Sequence, residues 1–173
     1  MTIMNAINWP EGYLPGTTDN FASNEAVVKG LAAADVWPFL VKAALWPSYY
    51  QNSSDVSLRD GEELHDGERF FFKTFGFPIN AQVVELSAPA EGRPGRISWH
   101  GWSDGEGEEG IDVVHAWLVE DLEGGRVRIL TQESQRGGGA RKLHETHPNP
   151  MINGHQDWID GLIKAASAAR KAR

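Results

Sequence analysis

The chain has 173 residues, 40% of them apolar, 23% charged and 10% aromatic, enough for one domain with a sizeable core. A formal charge of -8 and an isoelectric point near 5.2 repel nucleic-acid phosphates and anionic membrane faces, so neither is an expected partner. The absence of cysteine excludes disulfides, thiolate metal sites and a cysteine nucleophile. The opening MTIMNAINWPEG carries no basic region and no apolar run, and no stretch of about eighteen apolar residues follows, so a cytoplasmic protein is expected.

Residues 1–20 combine Trp9-Pro10, Tyr13 and Pro15-Gly16, breakers mixed with aromatic anchors, and read as an arm laid over a single domain of residues 21–173. Residues 21–31, with Ala26, Val27 and Val28 ahead of Gly30, predict a first strand. Asp35 then reads as an N-cap, because Val36, Phe39, Leu40, Ala43 and Ala44 recur behind it at helical spacing. Pro38 falls in the first turn, where a missing N–H does no harm, and Pro47 ends the helix. A second short helix is expected at residues 48–51.

From residue 55 to about 135, short runs of Val, Ile, Phe, Trp and Thr alternate with Gly, Pro and acidic turns, the pattern of an antiparallel meander. The expected strands are residues 55–58, 69–75, 79–86, 96–102, 111–121 and 126–134. Residues 103–110 hold four carboxylates and three glycines but lack the ligand register and closing Glu of an EF-hand, so they read as a solvated loop. Gly137-Gly138-Gly139 reads as a hinge. Asn149 as N-cap with Pro150 behind it opens a final helix to about residue 169, whose apolar stripe is Ile152, His155, Ile159, Leu162, Ile163 and Ala166.

The order strand, two short helices, meander and long C-terminal helix is accompanied by particular wording. Val36-Trp37 opens the first helix, Trp46-Pro47-Ser48-Tyr49-Tyr50 closes it, and Leu64-His65-Asp66-Gly67-Glu68-Arg69-Phe70 leads into a strand. His115-Ala116-Trp117, Gly124-Gly125, Thr131-Gln132-Glu133-Ser134 and His155-x-x-Trp158-Ile159-x-x-Leu162 follow. In these the chain resembles the START/Bet v 1-like (SRPBCC, helix-grip) superfamily, in its polyketide cyclase/dehydrase-like and AHSA1-like branches, over about residues 20–170. The resemblance implies an α+β helix-grip fold, in which a curved antiparallel sheet of six or seven strands wraps a long C-terminal helix around a binding cavity. Members bind lipids, hormones and aromatic metabolites, cyclise polyketides or activate a chaperone, so the resemblance implies a fold more than a reaction.

No nucleophile elbow, P-loop, H-E-x-x-H or G-x-G-x-x-G occurs. In the strand 126–134, Arg126 and Arg128 prefer solvent, which turns Val127, Ile129, Thr131 and Glu133 to the other face. A three-residue turn at 123–125 would set His115 opposite Glu133 and Trp117 opposite Thr131, making His115 and Glu133 a candidate acid–base pair at the cavity wall with the histidine raised by the carboxylate. A two-residue turn at Gly124-Gly125 would instead oppose Glu133 to Ala116, and both registers stay open. His155 lies on the stripe of the final helix. With His144 and His147 it matches no standard zinc spacing, so no metal and no cofactor is expected.

Trp46, Tyr49 and Tyr50 are placed at the cavity mouth. Phe70, Phe72, Trp99, His100, Trp102, Trp117, Thr131, His155 and Trp158 are candidate ligand contacts, with Trp99 on the face opposite to His100 and Trp102. The leading expectation is a monomer or homodimer that binds a small apolar or aromatic molecule. The alternatives are a cofactor-independent cyclase, dehydratase or hydrolase using the His–Glu pair, and an AHSA1-like protein-interaction domain.

Overall fold

Alternating apolar residues separated by tight turns give seven strands, which the computed structural model, describing residues 3–103 and 110–173, joins in one antiparallel sheet. The strands are β1 (Asn20–Lys29), β2 (Ser53–Ser57), β3 (Arg69–Thr74), β4 (Phe77–Ser87), β5 (Gly95–Trp102), β6 (Asp112–Leu122) and β7 (Arg126–Arg136). Their order is β1-β7-β6-β5-β4-β3-β2, a meander whose last strand folds back beside the first. The sheet curves around helix α4 (Pro150–Lys171), and α1 (Ala33–Val41), a single 3-10 turn and α2 (Trp46–Tyr49) follow β1. This is the expected helix-grip architecture. No helix among the described residues is long and apolar enough to cross a membrane.

The β6–β7 hairpin settles the register that the sequence left open. Leu122 pairs with Arg126, leaving a three-residue turn, Glu123-Gly124-Gly125, in which both glycines take the left-handed conformation at φ 82° and 66°. His115 therefore opposes Glu133, Trp117 opposes Thr131 and Val119 opposes Ile129. Alternation turns these six inward, while Asp112, Glu120 and Arg128 face outward.

The outer face is not left to water. Asn5 of the arm donates to Glu120 at 2.7 Å through Nδ2, and Arg128 donates to the Asn5 carbonyl at 2.9 Å, to Glu120 at 2.7 Å and to Glu25 at 2.7 Å. Arg128, expected to face solvent, does occupy the outer face but is buried there.

The α4 start is as expected: Asn149 accepts the Met151 N–H at 3.0 Å, and Pro150 takes the first helical position. Its buried face is Gly154, His155, Trp158, Ile159, Leu162 and Ala166. Ile152 corrects the expected stripe: it is 43% exposed, although the helix start that carries it is bonded to β1, with Asn24 donating to the Ile152 carbonyl at 3.0 Å. Asp35 is a second correction. The α1 N-cap is Ala32, and Asp35 sits three residues on, accepting the Ala32 N–H at 2.8 Å, so its carboxylate caps from inside the helix. Arg170 and Arg173 bind the same carboxylate at 2.5 and 2.6 Å and tie the end of α4 to α1. The glycine run expected as a hinge opens α3 (Gly138–Glu145), its start held by Gly137 donating to Asp19 at 2.8 Å and Gly139 to the Gly110 carbonyl at 3.1 Å. Most of the acidic segment 103–110 lies outside the described residues.

Candidate functional site

The space between sheet and α4 is filled with rings. Trp46, Trp99, Trp117, Trp158 and Tyr50 are each no more than 2% exposed, and Phe70 and Phe72 are buried beside them. Trp46 touches Phe70, Phe72, Trp99 and Trp158 with ring centroids 5.1–6.0 Å apart, and Tyr50 stacks on Trp158 at 4.6 Å. Such edge and offset contacts add to what the buried area alone contributes.

Tyr49 closes the wall beside them. Its hydroxyl donates to the Phe39 carbonyl at 2.8 Å and accepts the Trp158 indole N–H at 3.2 Å. Burial pushes the Tyr49 phenol up beyond the ordinary tyrosine range, and the Tyr50 phenol up to about 12. An open depression of about 440 Å³ lies outside this wall, lined by Pro47, Tyr49, Tyr50, Gly161 and Lys164. At Gly161 a side chain would collide with the Tyr49 carbonyl, so the glycine is what lets α2 press on α4.

Into this aromatic interior the fold brings three ionisable groups from three elements: His115 of β6, Glu133 of β7 and His155 of α4. They are 3%, 6% and 2% exposed, and one donor atom from each lies within 4.8 Å of the others. The expected direct His115–Glu133 bond is corrected. His115 Nε2 bonds Thr131 Oγ1 at 2.8 Å, whereas Glu133 Oε2 approaches His155 Nε2 at 3.0 Å. The reason is the helix, which lowers His155 onto the sheet between the two strands. The His115 and His155 rings lie with centroids 4.5 Å apart.

The electrostatic expectation for His115 is corrected as well. Burial outweighs the Glu133 charge and, with His155 beside it, pushes the imidazole down to about 3, so His115 is neutral at pH 7. Burial also opposes ionisation of Glu133, yet the adjacent imidazoles of His115 and His155 and the Gln135 side chain hold that carboxyl below the ordinary range.

Polar satisfaction is incomplete here. Among the described residues, Trp117 Nε1, Glu133 Oε2 and His155 Nδ1 are buried without a hydrogen-bond partner, together with Asn24 Oδ1 and Ser53 Oγ elsewhere. The 3.0 Å approach of His155 to Glu133 is thus a contact at bonding distance without bonding geometry. An unpaired buried polar group costs about 1–3 kcal/mol, so these three atoms weigh against the stability of the interior.

Of the candidate ligand contacts, His100 and Trp102 are not in this interior. They stand half-buried on the outer face, with Tyr13 of the arm against His100 at 6.1 Å. There they border an open depression of about 670 Å³ with Asp112, Arg136 and Arg141. Tyr13 donates to Asp112 and accepts from Arg136 at 2.7 Å, and His100 reaches Asp112 at 3.1 Å. Burial disfavours the Asp112 charge, but Tyr13, His100 and Arg136 hold its carboxyl below the usual range. His144 and His147 are exposed and do not join the cluster, in which His155 meets His115 and Glu133.

No protein-family model matches the chain, and no curated protein matches it. Among solved structures it is similar to the hypothetical protein jhp0584 from Helicobacter pylori, with 48% identity and a TM-score of 0.91 over 96% of this chain and 99% of that one. It is similar in fold alone to protein MLL2253 from Mesorhizobium loti, at 10% identity and a TM-score of 0.66 over 86% of this chain and 98% of that one. The same holds for the Zhui aromatase/cyclase from Streptomyces sp. R1128, at 12% identity and a TM-score of 0.62 over 89% and 97%. On a helix-grip scaffold shared with these proteins, the chain belongs to the family of the Helicobacter pylori hypothetical protein jhp0584.

Proposed function

We propose that the protein binds a small, flat, largely apolar molecule carrying a hydroxyl group in the interior between the sheet and α4. The carrying observation is the set of unpartnered polar atoms, Trp117 Nε1, Glu133 Oε2 and His155 Nδ1, inside walls that are otherwise aromatic. A ligand hydroxyl can donate to Glu133 and accept from Trp117, while its rings replace the stacking that the interior already uses. Because Trp158 and Tyr50 now fill that space, binding requires them to swing toward the depression outside Tyr49 and Tyr50. The fold likeness to an aromatase/cyclase is in keeping with an aromatic ligand.

Titration of tryptophan fluorescence with 2-naphthol and with naphthalene, in chelator-treated buffer, tests this. Both should quench saturably in the native protein, 2-naphthol more tightly, and Glu133→Gln should narrow the difference. Quenching that appears only in partly unfolding denaturant would remove the interior as a binding site.

A second reading, a cofactor-independent cyclase, dehydratase or hydrolase, is favoured by the 3.0 Å approach of His155 to Glu133. It replaces the His115–Glu133 pair with Glu133 and His155. It requires that Glu133→Gln and His155→Asn both lose turnover of a hydroxylated aromatic substrate while 2-naphthol still binds. The interaction-domain reading draws on the filled interior and on exposed Phe75, Phe77 and Ile152, where the β3–β4 hairpin meets the start of α4. It gains if neither aromatic probe binds.

A further inference from the structure

We propose that His115, Glu133 and His155 form a site for one divalent transition-metal ion, of the two-histidine, one-carboxylate kind. The inference deepens the reading of the interior as a binding site but does not need its organic ligand. Two imidazoles and a carboxylate are the donors that borderline ions such as Zn²⁺ and Fe²⁺ take when protein ligands leave a coordination position open.

The spacing fits that chemistry. With bonds of about 2.1 Å, two ligands on one ion stand about 3 Å apart at an octahedral right angle and about 3.4 Å apart at the tetrahedral angle. Glu133 Oε2 and His155 Nε2 are 3.0 Å apart, and one ligand atom from each of the three residues lies within 4.8 Å of the other two. These two atoms sit side by side without forming a hydrogen bond, and Glu133 Oε2 has no other partner although the residue is only 6% exposed. A hydrogen-bonded ion pair would have aligned them, whereas two ligands of a common ion would not be aligned on each other.

The surroundings of His115 fit as well. Thr131 Oγ1 lies 3.2 Å from the Ala116 carbonyl and spends its proton there, so at 2.8 Å it accepts Nε2–H from His115. The ring is thereby fixed in the tautomer whose Nδ1 keeps its lone pair. Metal-bound histidines are held in this way, by donating the second ring N–H to a neighbouring oxygen. All three residues stand on regular elements, two adjacent strands and the helix packed on them, so the donors are held by the scaffold and not by loops. A cation here would also answer the buried Glu133 charge. The fourth position would face the aromatic interior, where a water or the hydroxyl of a bound aromatic molecule could complete the coordination.

The experiment is titration of chelator-stripped protein with Co²⁺, followed by visible absorption and thermal melting, with Zn²⁺ as competitor and no organic ligand present. One equivalent of Co²⁺ should bind, raise the melting temperature and be displaced by Zn²⁺. Glu133→Gln, which keeps the side-chain shape, should abolish the absorption band. Thr131→Val, which removes only the oxygen held by His115, should weaken Co²⁺ binding by about 10–100-fold. If a variant does not fold, the wild-type Co²⁺ complex still decides by NMR, because the paramagnetically shifted ring signals must belong to His115 and His155. The proposal is overturned if the wild type takes up no stoichiometric Co²⁺, if folded Glu133→Gln binds as the wild type does, or if the shifted signals come from His65, His100, His144 or His147. Failure here leaves the 2-naphthol titration untouched, since that is run in chelator, and the converse also holds.

Discussion

Leu162 and Ile152 look alike in the sequence, both large aliphatics on the stripe of one helix, yet the structure assigns them opposite energetic roles. Leu162 is 0% exposed within the core that also contains Trp46, Val127 and Ile129, whereas Ile152 is 43% exposed. Truncating Leu162 to Ala removes three carbons, about 2.4 kcal/mol at roughly 0.8 kcal/mol per buried methylene, before any cavity is counted. Adding the cavity gives an expected loss of about 2–5 kcal/mol. For a chain of this length each kcal/mol lowers the melting temperature by about 2–4 °C, so a fall of roughly 4–20 °C is expected. Ile152→Ala, with much of its side chain already in water, should stay within about 0.5–1 kcal/mol. Urea unfolding followed by far-ultraviolet circular dichroism measures both, with the slope checked for two-state behaviour. A loss below about 0.5 kcal/mol for Leu162→Ala, or equal losses for the two variants, would mean that α4 is rotated about its axis relative to the sheet. That outcome would also carry His155 away from Glu133.

The Asp35 carboxyl, disfavoured by burial but held below the ordinary range by the Ala32 N–H and by Arg173 and Arg170, contributes stability that is present above its unfolded value near 3.8. This contribution is lost as pH falls through the lower folded value, so Asp35→Asn should be less stable than wild type at pH 7 and the gap in urea midpoints should close in acid. A gap independent of pH would mean that the carboxylate is not what ties α4 to α1. Gly161→Ala gains about 1 kcal/mol of helix propensity but drives a Cβ into the Tyr49 carbonyl, and an overpacking cost of about 1–3 kcal/mol should leave a net loss in thermal melts. Net stabilisation would show that α2 is not pressed onto α4. All three tyrosines are raised above 10, Tyr13 to about 12 by burial and its bond to Asp112, and Tyr50 to about 12 and Tyr49 further still by burial. The native protein should therefore show almost no phenolate absorbance at pH 10.5, and the stability contributed by the neutral phenols should be lost as pH rises above 10 through the folded values. A tyrosine titrating near 10 in the native state would contradict this.

The fold was legible because its main decisions are local. The run Glu123-Gly124-Gly125 between two alternating strands fixes a hairpin, and Asn149-Pro150 fixes a helix start with a side-chain oxygen and a missing N–H. The errors arose where one residue type serves two local purposes. Asp35 has the chemistry of an N-cap but caps from within the first turn, and Gly138-Gly139 has the composition of a hinge yet enters α3 because Gly137 and Gly139 find acceptors on Asp19 and Gly110, remote in sequence. Ile152 follows the period of the α4 stripe but is 43% exposed, because periodicity sets which face a residue shares and not whether a neighbouring element covers it there.

The candidate site shows the same boundary from the other side. Alternation was enough to turn Glu133 and Thr131 inward, and helical spacing was enough to turn His155 inward, each from its own element. What no local pattern contains is the height and azimuth at which α4 settles on the sheet, and that placement decides which inward groups meet. It sets His155 3.0 Å from Glu133 and leaves His115 to Thr131. It also decides the charge state of His115: an exposed cross-strand carboxylate would have raised the imidazole, but beneath α4, Trp99 and Trp158 the loss of water outweighs the carboxylate and lowers it to about 3. A hydrophobic core gains nothing from three ionisable groups in such a place, since each is worth less to stability than an apolar side chain of its size unless it is fully paired. Glu133 Oε2, His155 Nδ1 and Trp117 Nε1 are not paired. Replacing Glu133 and His155 together with Leu should accordingly leave the protein as stable or more stable in urea while abolishing Co²⁺ binding and removing the preference for 2-naphthol over naphthalene, and a large loss of stability would show instead that the buried charges serve the fold.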